Sequence, residues 1–157
     1  MRIGFDLDGV IFENIEYKGN LEEYNNLLLK PLLRLDINHV IASHQVYIIT
    51  GRAKDNYHVT RKTIHLLLPN FNLDNLIMVN EFDSLKIDGV FLNTFTYMNY
   101  IAIRKFRYLD SLKIDYYFDD NPLIIKVLSS AEHMSKYKVI DAKNTLMVNK
   151  ILNNLGD

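Results

Sequence analysis

The sequence contains no cysteine, only three prolines and six glycines, and no long hydrophobic run. Without cysteine, a disulfide scaffold, a thiolate zinc site and a cysteine nucleophile are excluded. Low proline and glycine contents argue against a collagen-like or disordered chain. Two aspartates near the start are atypical of a secretory signal, and no apolar run approaches the roughly 20 residues that span a bilayer. We therefore expect a cytoplasmic protein without a membrane segment.

The length and charge of the chain predict one ordinary globular domain. The chain has 157 residues and a formal net charge of -1. This length is typical of a single domain that can bury a core without a disulfide or a structural metal, so residues 1–157 are treated as one unit. A nearly neutral chain argues against a broad basic surface for nucleic acid, but it leaves room for a local basic patch.

Short apolar segments alternate along the chain with longer segments of helical periodicity. The short segments are rich in β-branched and aromatic residues and are apolar on both faces, which is typical of parallel strands covered by helices. The predicted strands are residues 1–7, 45–50, 76–79, 115–118 and 137–140. The alternation predicts a three-layer, Rossmann-like α/β fold with a central parallel sheet of five strands.

The predicted helices lie between these strands, and capping residues indicate where they begin and end. The first helix follows the capping pair Asn20 and Glu23, and the second runs from Asp55 to residue 68. The other three are residues 97–112, a helix from Asn121-Pro122 to residue 130, and residues 145–155, with Gly156 as the stop signal. Residues 80–96 have the weakest periodicity, and we predict a loop or a small flap there.

Acidic and hydroxyl side chains stand at the ends of three predicted strands. Asp6 and Asp8 end the first strand, and Thr50 ends the second. Asp119 and Asp120 follow the fourth strand. The carboxyl ends of parallel strands meet at one edge of a sheet, so these groups are expected to lie together. Clustered carboxylates repel one another unless a cation intervenes, and a hard divalent ion such as Mg²⁺, suited to phosphoryl chemistry, is the natural partner.

Each of these segments also has an ordinary structural explanation. Asp8-Gly9 and Thr50-Gly51 are compatible with simple turns, and residues 119–121 with a helix cap. Their occurrence at three strand ends of one short chain is what favours a functional site.

Taken together, the segments resemble the motifs of the haloacid dehalogenase (HAD) superfamily of phosphotransferases. The similar segments are residues 5–10 (FDLDGV), 48–52 (IITGR) and 118–121 (FDDN), which resemble its first, second and fourth motifs. The third motif is a lysine on the helix before the fourth strand, and Lys105 has that position. Lys86 and Lys113 compete for it, but Lys86 lies in the irregular segment and Lys113 lies close to the strand. The resemblance covers residues 3–128.

The resemblance implies a catalytic role for four residues. Asp6 would attack phosphorus to form an aspartyl-phosphate. Asp8 would protonate the leaving oxygen and then activate water as a general base. Thr50 would hold a phosphoryl oxygen, and Lys105 would offset charge on the transferred group and on Asp6.

The resemblance also implies a Mg²⁺ cofactor. The ion would be bound by Asp6, by the main-chain carbonyl of Asp8, and by Asp119 and Asp120. Of this last pair, Asp120 is expected to contact the metal directly and Asp119 to act through water or the lysine.

The intervals between the motifs leave no room for a large cap domain, so we expect an open site. Gly51 and Arg52, at the end of the second motif, and Arg61, within residues 57–62 (YHVTRK), stand in a pattern similar to the phosphatase domain of polynucleotide kinase/phosphatase and to 5′(3′)-deoxyribonucleotidases. This similarity implies substrate contacts by these residues, with an arginine binding a second or a backbone phosphate. The alternative is that the two arginines lie on a solvated helix face.

The function expected from these residues is a Mg²⁺-dependent phosphomonoesterase acting on nucleotide or nucleic-acid-end phosphates. Its partner would be a phosphorylated small molecule or a nucleic-acid end, and its oligomeric state is left open. Two alternative functions remain open. The first is a HAD phosphatase of sugar phosphates or phosphoproteins, and the second is an inactive HAD-like binding module.

Overall fold

A single parallel sheet organises the protein in a computed structural model that describes residues 1–16, 18–132 and 136–155. The strands are β1 (Arg2–Phe5), β2 (Gln45–Thr50), β3 (Leu76–Met78), β4 (Tyr116–Asp119) and β5 (Lys138–Asp141). Their order across the sheet is β3-β2-β1-β4-β5, and every neighbouring pair is parallel. The predicted five-stranded parallel sheet is confirmed.

Seven α-helices accompany the strands within the described residues. They are α1 (Leu21–Leu29), α2 (Asn38–Ser43), α3 (Tyr57–Leu67), α4 (Ser84–Val90), α5 (Thr94–Ser111), α6 (Pro122–Ser130) and α7 (Thr145–Asn154). Short 3₁₀ turns at Lys54–Asn56 and Leu73–Asn75 precede α3 and β3. None of the described helices combines the length and the apolar character that a membrane span requires.

The sheet separates two apolar cores, because successive side chains of a strand point to opposite faces. Phe5 and Ile48 belong to a core that α2, α3 and α7 cover, whereas Ile49 and Tyr117 belong to a core that α5 and α6 cover. Burial of each such side chain contributes roughly 1.5–3 kcal/mol. Helices on both faces of the sheet confirm the predicted three-layer α/β architecture.

Two of the predicted helix caps are confirmed, and one is wrong. The Asn20 side chain accepts a hydrogen bond from the Glu23 amide at 3.1 Å, and Asn121 caps α6 ahead of a first-turn proline. Asp55 does not cap α3, which begins two residues later at Tyr57. Its carboxylate instead accepts hydrogen bonds from the amide and the hydroxyl of Ser84, so a tertiary contact replaces the local cap. The predicted stop at Gly156 lies outside the described residues.

Residues 80–96, predicted as a loop or a flap, contain helix α4 and the start of α5. Asn93 accepts a hydrogen bond from the Thr96 amide at 2.8 Å, so α5 begins before the predicted residue 97. Phe82 and Phe91, on either side of α4, pack against the ring of Tyr100 with centroid distances of 5.6 and 5.0 Å. These aromatic contacts attach α4 to the domain, although its own sequence is too short to show a helical period.

Candidate functional site

Strand register brings the predicted site residues to one edge of the sheet. Phe5 of β1 lies beside Ile48 of β2 and Phe118 of β4, so the residues that follow lie side by side. The amide of Asp6 donates to the carbonyl of Phe118 at 2.8 Å, which continues the pairing beyond the last residue of β1. Asp6, Thr50 and Asp119 are buried.

Lys105 joins two of these carboxylates from the middle of α5. Its ammonium lies 2.7 Å from Asp119 Oδ2 and 3.1 Å from Asp6 Oδ1, and its side chain is only 1% exposed. The alternative lysines lie elsewhere: Lys86 is exposed on α4, and Lys113 is exposed beside Asp110. The structure therefore brings Lys105, and neither competitor, to the carboxylates.

The electrostatics of this cluster reflect its burial. Burial raises the pKa of the Asp6 carboxyl to about 7, with Lys105 opposing the rise and the charges of Asp119 and Asp8 adding to it. Burial by itself would lower the pKa of the Lys105 ammonium, but Asp119 and Asp6 outweigh it and the pKa is raised. Burial, followed by the charge of Asp119, also raises the pKa of Asp120. One ammonium thus faces three carboxyl groups that repel one another.

Three of the carboxylates form a potential metal site. Asp6, Asp119 and Asp120 each offer an oxygen within 4.8 Å of the other two. Asp119 uses Oδ2 to bind Lys105 and Oδ1 to accept the amide of Asn121 at 2.9 Å. Asp6 and Asp120 are therefore the carboxylates with more capacity left for a cation. An all-oxygen donor set of this kind suits a hard divalent ion such as Mg²⁺.

Gly9 allows the first loop to approach this site closely. Its φ of +81° lies in the left-handed region, which glycine adopts without strain. A Cβ at this position would overlap the Asp120 carboxylate, which would then have to move. The positive φ therefore favours glycine here, and a side chain would displace one of the potential metal ligands.

Asp8 is not one of the three grouped carboxylates and pairs with Arg52. Arg52 Nε lies 2.7 Å from Asp8 Oδ2 and Nη2 lies 2.6 Å from Oδ1, a bidentate arrangement. Arg52 Nη1 also donates to Thr60, and the Arg52 side chain is 2% exposed. These bonds use three of the five N–H donors of the guanidinium, and Arg52 also lines the cleft described below, so a substrate contact by Arg52 stays a prediction. The Asp8 carboxylate is not among the three that form the potential metal group.

Arg61, predicted as a substrate contact, lies outside the site. Its guanidinium donates to the Tyr57 hydroxyl and the Leu73 carbonyl and lies over the Tyr57 ring. The Leu73 carbonyl lies in the 3₁₀ turn that precedes β3, and Arg61 is not among the described residues that line the cleft. The spacing of residues along α3 did not reveal which face of the helix the arginine occupies.

Two residues that hold the loop after β2 were missed by the sequence interpretation. The Tyr97 hydroxyl donates to the carbonyl of Gly51, and the Asn80 amide donates to the same carbonyl and to the Tyr97 oxygen. Burial raises the pKa of Tyr97 to about 12, so its hydroxyl stays a donor. Asn80 follows β3 and was therefore detectable by the same strand-end rule that selected Asp6 and Thr50.

The site opens into a cleft of about 610 Å³, a size typical of small-ligand pockets. Its floor contains Asp6, Asp8, Thr50, Lys105 and Asp120, and Gly51 and Arg52 also line it. Side chains from α1, α4 and α5 form the walls. A larger and more open hollow of about 750 Å³ lies at the opposite edge of the sheet, and its described lining has Asp115 as its only carboxylate.

A scan against protein-family models gives no match for this chain, and a search of the curated proteins gives none either. We therefore infer function from the arrangement of the site residues.

The metal site is testable without any substrate. Asp120→Asn is expected to weaken Mg²⁺ binding by at least about tenfold, since it removes a charged oxygen ligand. Thermal unfolding at increasing Mg²⁺ concentrations would measure this as a smaller rise in midpoint than the wild-type protein shows. Asp88→Asn is the control, because Asp88 lines the cleft outside the three-carboxylate group. Equal Mg²⁺ responses of Asp120→Asn and the wild-type protein would contradict the site.

Proposed function

We propose that this protein is a Mg²⁺-dependent phosphomonoesterase of the HAD type that acts through an aspartyl-phosphate on Asp6. The observation that carries the proposal is the convergence of Asp6, Lys105, Asp119 and Asp120 at the base of an open cleft. A carboxylate nucleophile beside a buried ammonium and a potential cation site is suited to phosphoryl transfer, in which positioning and charge stabilisation supply most of the catalysis.

In the proposed first step, a carboxylate oxygen of Asp6 attacks phosphorus and the bond from phosphorus to the leaving alcohol breaks. Asp8 donates a proton to the departing oxygen. In the second step, water attacks the aspartyl-phosphate, Asp8 accepts a proton from it, and inorganic phosphate and free Asp6 are formed. Each proton that Asp8 donates is thus recovered within one turnover.

The surrounding residues would position these groups. Arg52 binds both oxygens of Asp8 and would hold this carboxylate outside the group formed by Asp6, Asp119 and Asp120. Thr50 and the neighbouring backbone would bind phosphoryl oxygens, and Lys105 would offset their charge. Asp6 and Asp120, with Asp119, would hold Mg²⁺. When bound there, the cation would keep Asp6 ionised and neutralise charge on the phosphoryl group.

Phosphate release from 4-nitrophenyl phosphate tests this proposal. We expect phosphate release in the presence of Mg²⁺. EDTA should abolish this activity, and restoring Mg²⁺ should recover it. Because the natural leaving group is not assumed, the same assay extends to nucleotides, sugar phosphates and a phosphopeptide. A protein that binds Mg²⁺ yet releases phosphate from none of these esters would overturn the proposal and favour a binding module.

A further inference from the structure

Both basic side chains of the described cleft lining already have acidic partners. Lys105 is held between Asp6 and Asp119, and Arg52 binds both oxygens of Asp8. No other lysine or arginine is present among the described residues that line the cleft. The described lining therefore offers no unpaired lysine or arginine that could bind a second anionic group of a substrate.

The walls of the cleft are mainly apolar. The larger side chains there are Leu21 and Tyr24 of α1, Leu85 and Ile87 of α4, and Met98 and Ile101 of α5, and the lining also includes the polar Asn14, Ser84 and Asn121. Leu85 is 85% exposed although it borders the cleft. An apolar ligand group would gain from removing these surfaces from water.

The remaining charge of the lining is negative. Asp88 lies on the α4 wall, and Asp6, Asp8 and Asp120 lie at the base, against the two paired cations. One divalent cation would roughly balance this excess of negative charge. The phosphoryl group at the base of the cleft would then interact with that cation. A second phosphate along the α4 wall would approach Asp88 with no opposite charge, which is unfavourable in a partly desolvated cleft.

We propose that the substrate is an ester with a single phosphate and a neutral, largely apolar or aromatic leaving group. The inference rests on the proposed phosphomonoesterase function. Between the two substrate classes that the sequence suggests, it favours a mononucleotide-like ester over a nucleic-acid end, because a strand carries further phosphates along the cleft walls.

A matched pair of substrates separates these classes. Adenosine 5′-monophosphate and adenosine 3′,5′-bisphosphate share the nucleoside and the scissile 5′-phosphate, and 1-naphthyl phosphate adds an aromatic ester without a sugar. Chromatography would follow hydrolysis of the 5′-phosphate of both nucleotides. We expect kcat/KM to be at least about tenfold higher for the monophosphate, because only the bisphosphate places a second phosphate, without a protein cation to pair with, on the cleft wall. Glycerol 1-phosphate, which is small and polar, is expected to be as poor as the bisphosphate.

A charge introduced on the wall should change this preference. Leu85→Lys is expected to raise kcat/KM for the bisphosphate relative to the monophosphate by at least about threefold at low ionic strength, and less at high salt. Leu92→Lys is the matched control, because Leu92 is 93% exposed and lies outside the described cleft lining. It is expected to leave the ratio unchanged. Both positions are exposed, so neither lysine is expected to disturb folding.

The outcomes distinguish the two proposals. If the wild-type protein hydrolyses the bisphosphate as well as the monophosphate, or if Leu85→Lys and Leu92→Lys give the same ratio, the substrate inference is overturned while the phosphatase function stands. If no phosphate ester is hydrolysed in the presence of Mg²⁺, the proposed function is overturned and the substrate inference falls with it.

Discussion

Replacing Asp6 with asparagine is expected to lower kcat for phosphate release by at least about 10⁴-fold, because an amide cannot attack phosphorus. The variant should stay folded. Asparagine has nearly the same shape, and the substitution removes one of three mutually repelling carboxyl groups at the base of the cleft. Steady-state kinetics with 4-nitrophenyl phosphate would measure the loss, and urea unfolding would verify the fold.

Asp74→Asn provides the control for this experiment. Asp74 is exposed in the 3₁₀ turn before β3, away from the carboxyl edge of the sheet, and its substitution should leave kcat unchanged. Substantial activity of Asp6→Asn, above a few per cent of the wild-type value, would show that another group attacks the phosphate.

Replacing Lys105 with methionine is expected to reduce both stability and activity. Methionine replaces the unbranched stem of the lysine but leaves the buried Asp6 and Asp119 carboxylates without their cation. Removing one partner of a buried ion pair costs about 3–5 kcal/mol, and we expect a decrease of this size in the free energy of unfolding without metal. Loss of charge stabilisation should also lower kcat by at least about 10²-fold.

The stability loss should be partly reversed by Mg²⁺, since a bound cation compensates the same carboxylates. Urea unfolding with and without Mg²⁺ would measure this effect. Lys113→Met is the control, because the Lys113 side chain is 70% exposed and lies 3.8 Å from Asp110. Its effect should be within about 0.5 kcal/mol. A Lys105→Met protein as stable as Lys113→Met would contradict the role of the buried ammonium.

The placement of the acidic residues was predictable from sequence because it depends on strand ends. Once residues 1–7, 45–50 and 115–118 are identified as parallel strands, topology brings Asp6, Thr50 and Asp119 to one edge. This inference needs only the order of the elements and the positions where strands end. Lys105 does not follow from that rule and was expected only from the resemblance to the HAD motifs.

The environment of the arginines was not predictable in this way. Arg52 pairs with Asp8, which lies 44 residues earlier in the chain. Arg61 contacts Tyr57 one helical turn away and the carbonyl of Leu73, 12 residues later. A contact such as the Asp8–Arg52 pair leaves no local pattern that sequence periodicity could reveal. The same reason explains the Asp55 error, since its carboxylate binds Ser84 across the loop rather than the start of α3.

Helices α2 and α4 were missed for a different reason. With six and seven residues, they are too short for a 3.6-residue period to be distinguished from chance. Tertiary contacts stabilise them instead: Val40 of α2 is buried in the core, and aromatic rings flank α4. The wall that α4 adds to the cleft, and hence the substrate inference, required the structure.

Identification of the phosphorylated residue during turnover tests the central claim most directly. A reaction with Mg²⁺ and an aryl phosphate would be stopped with acid and treated with borohydride, which reduces an acyl phosphate to the alcohol. Peptide mass spectrometry would then locate the reduced residue. The proposed mechanism predicts homoserine at position 6 and its absence in Asp6→Asn. A modification at another residue, or an unmodified Asp6 in a protein that is actively turning over, would contradict it.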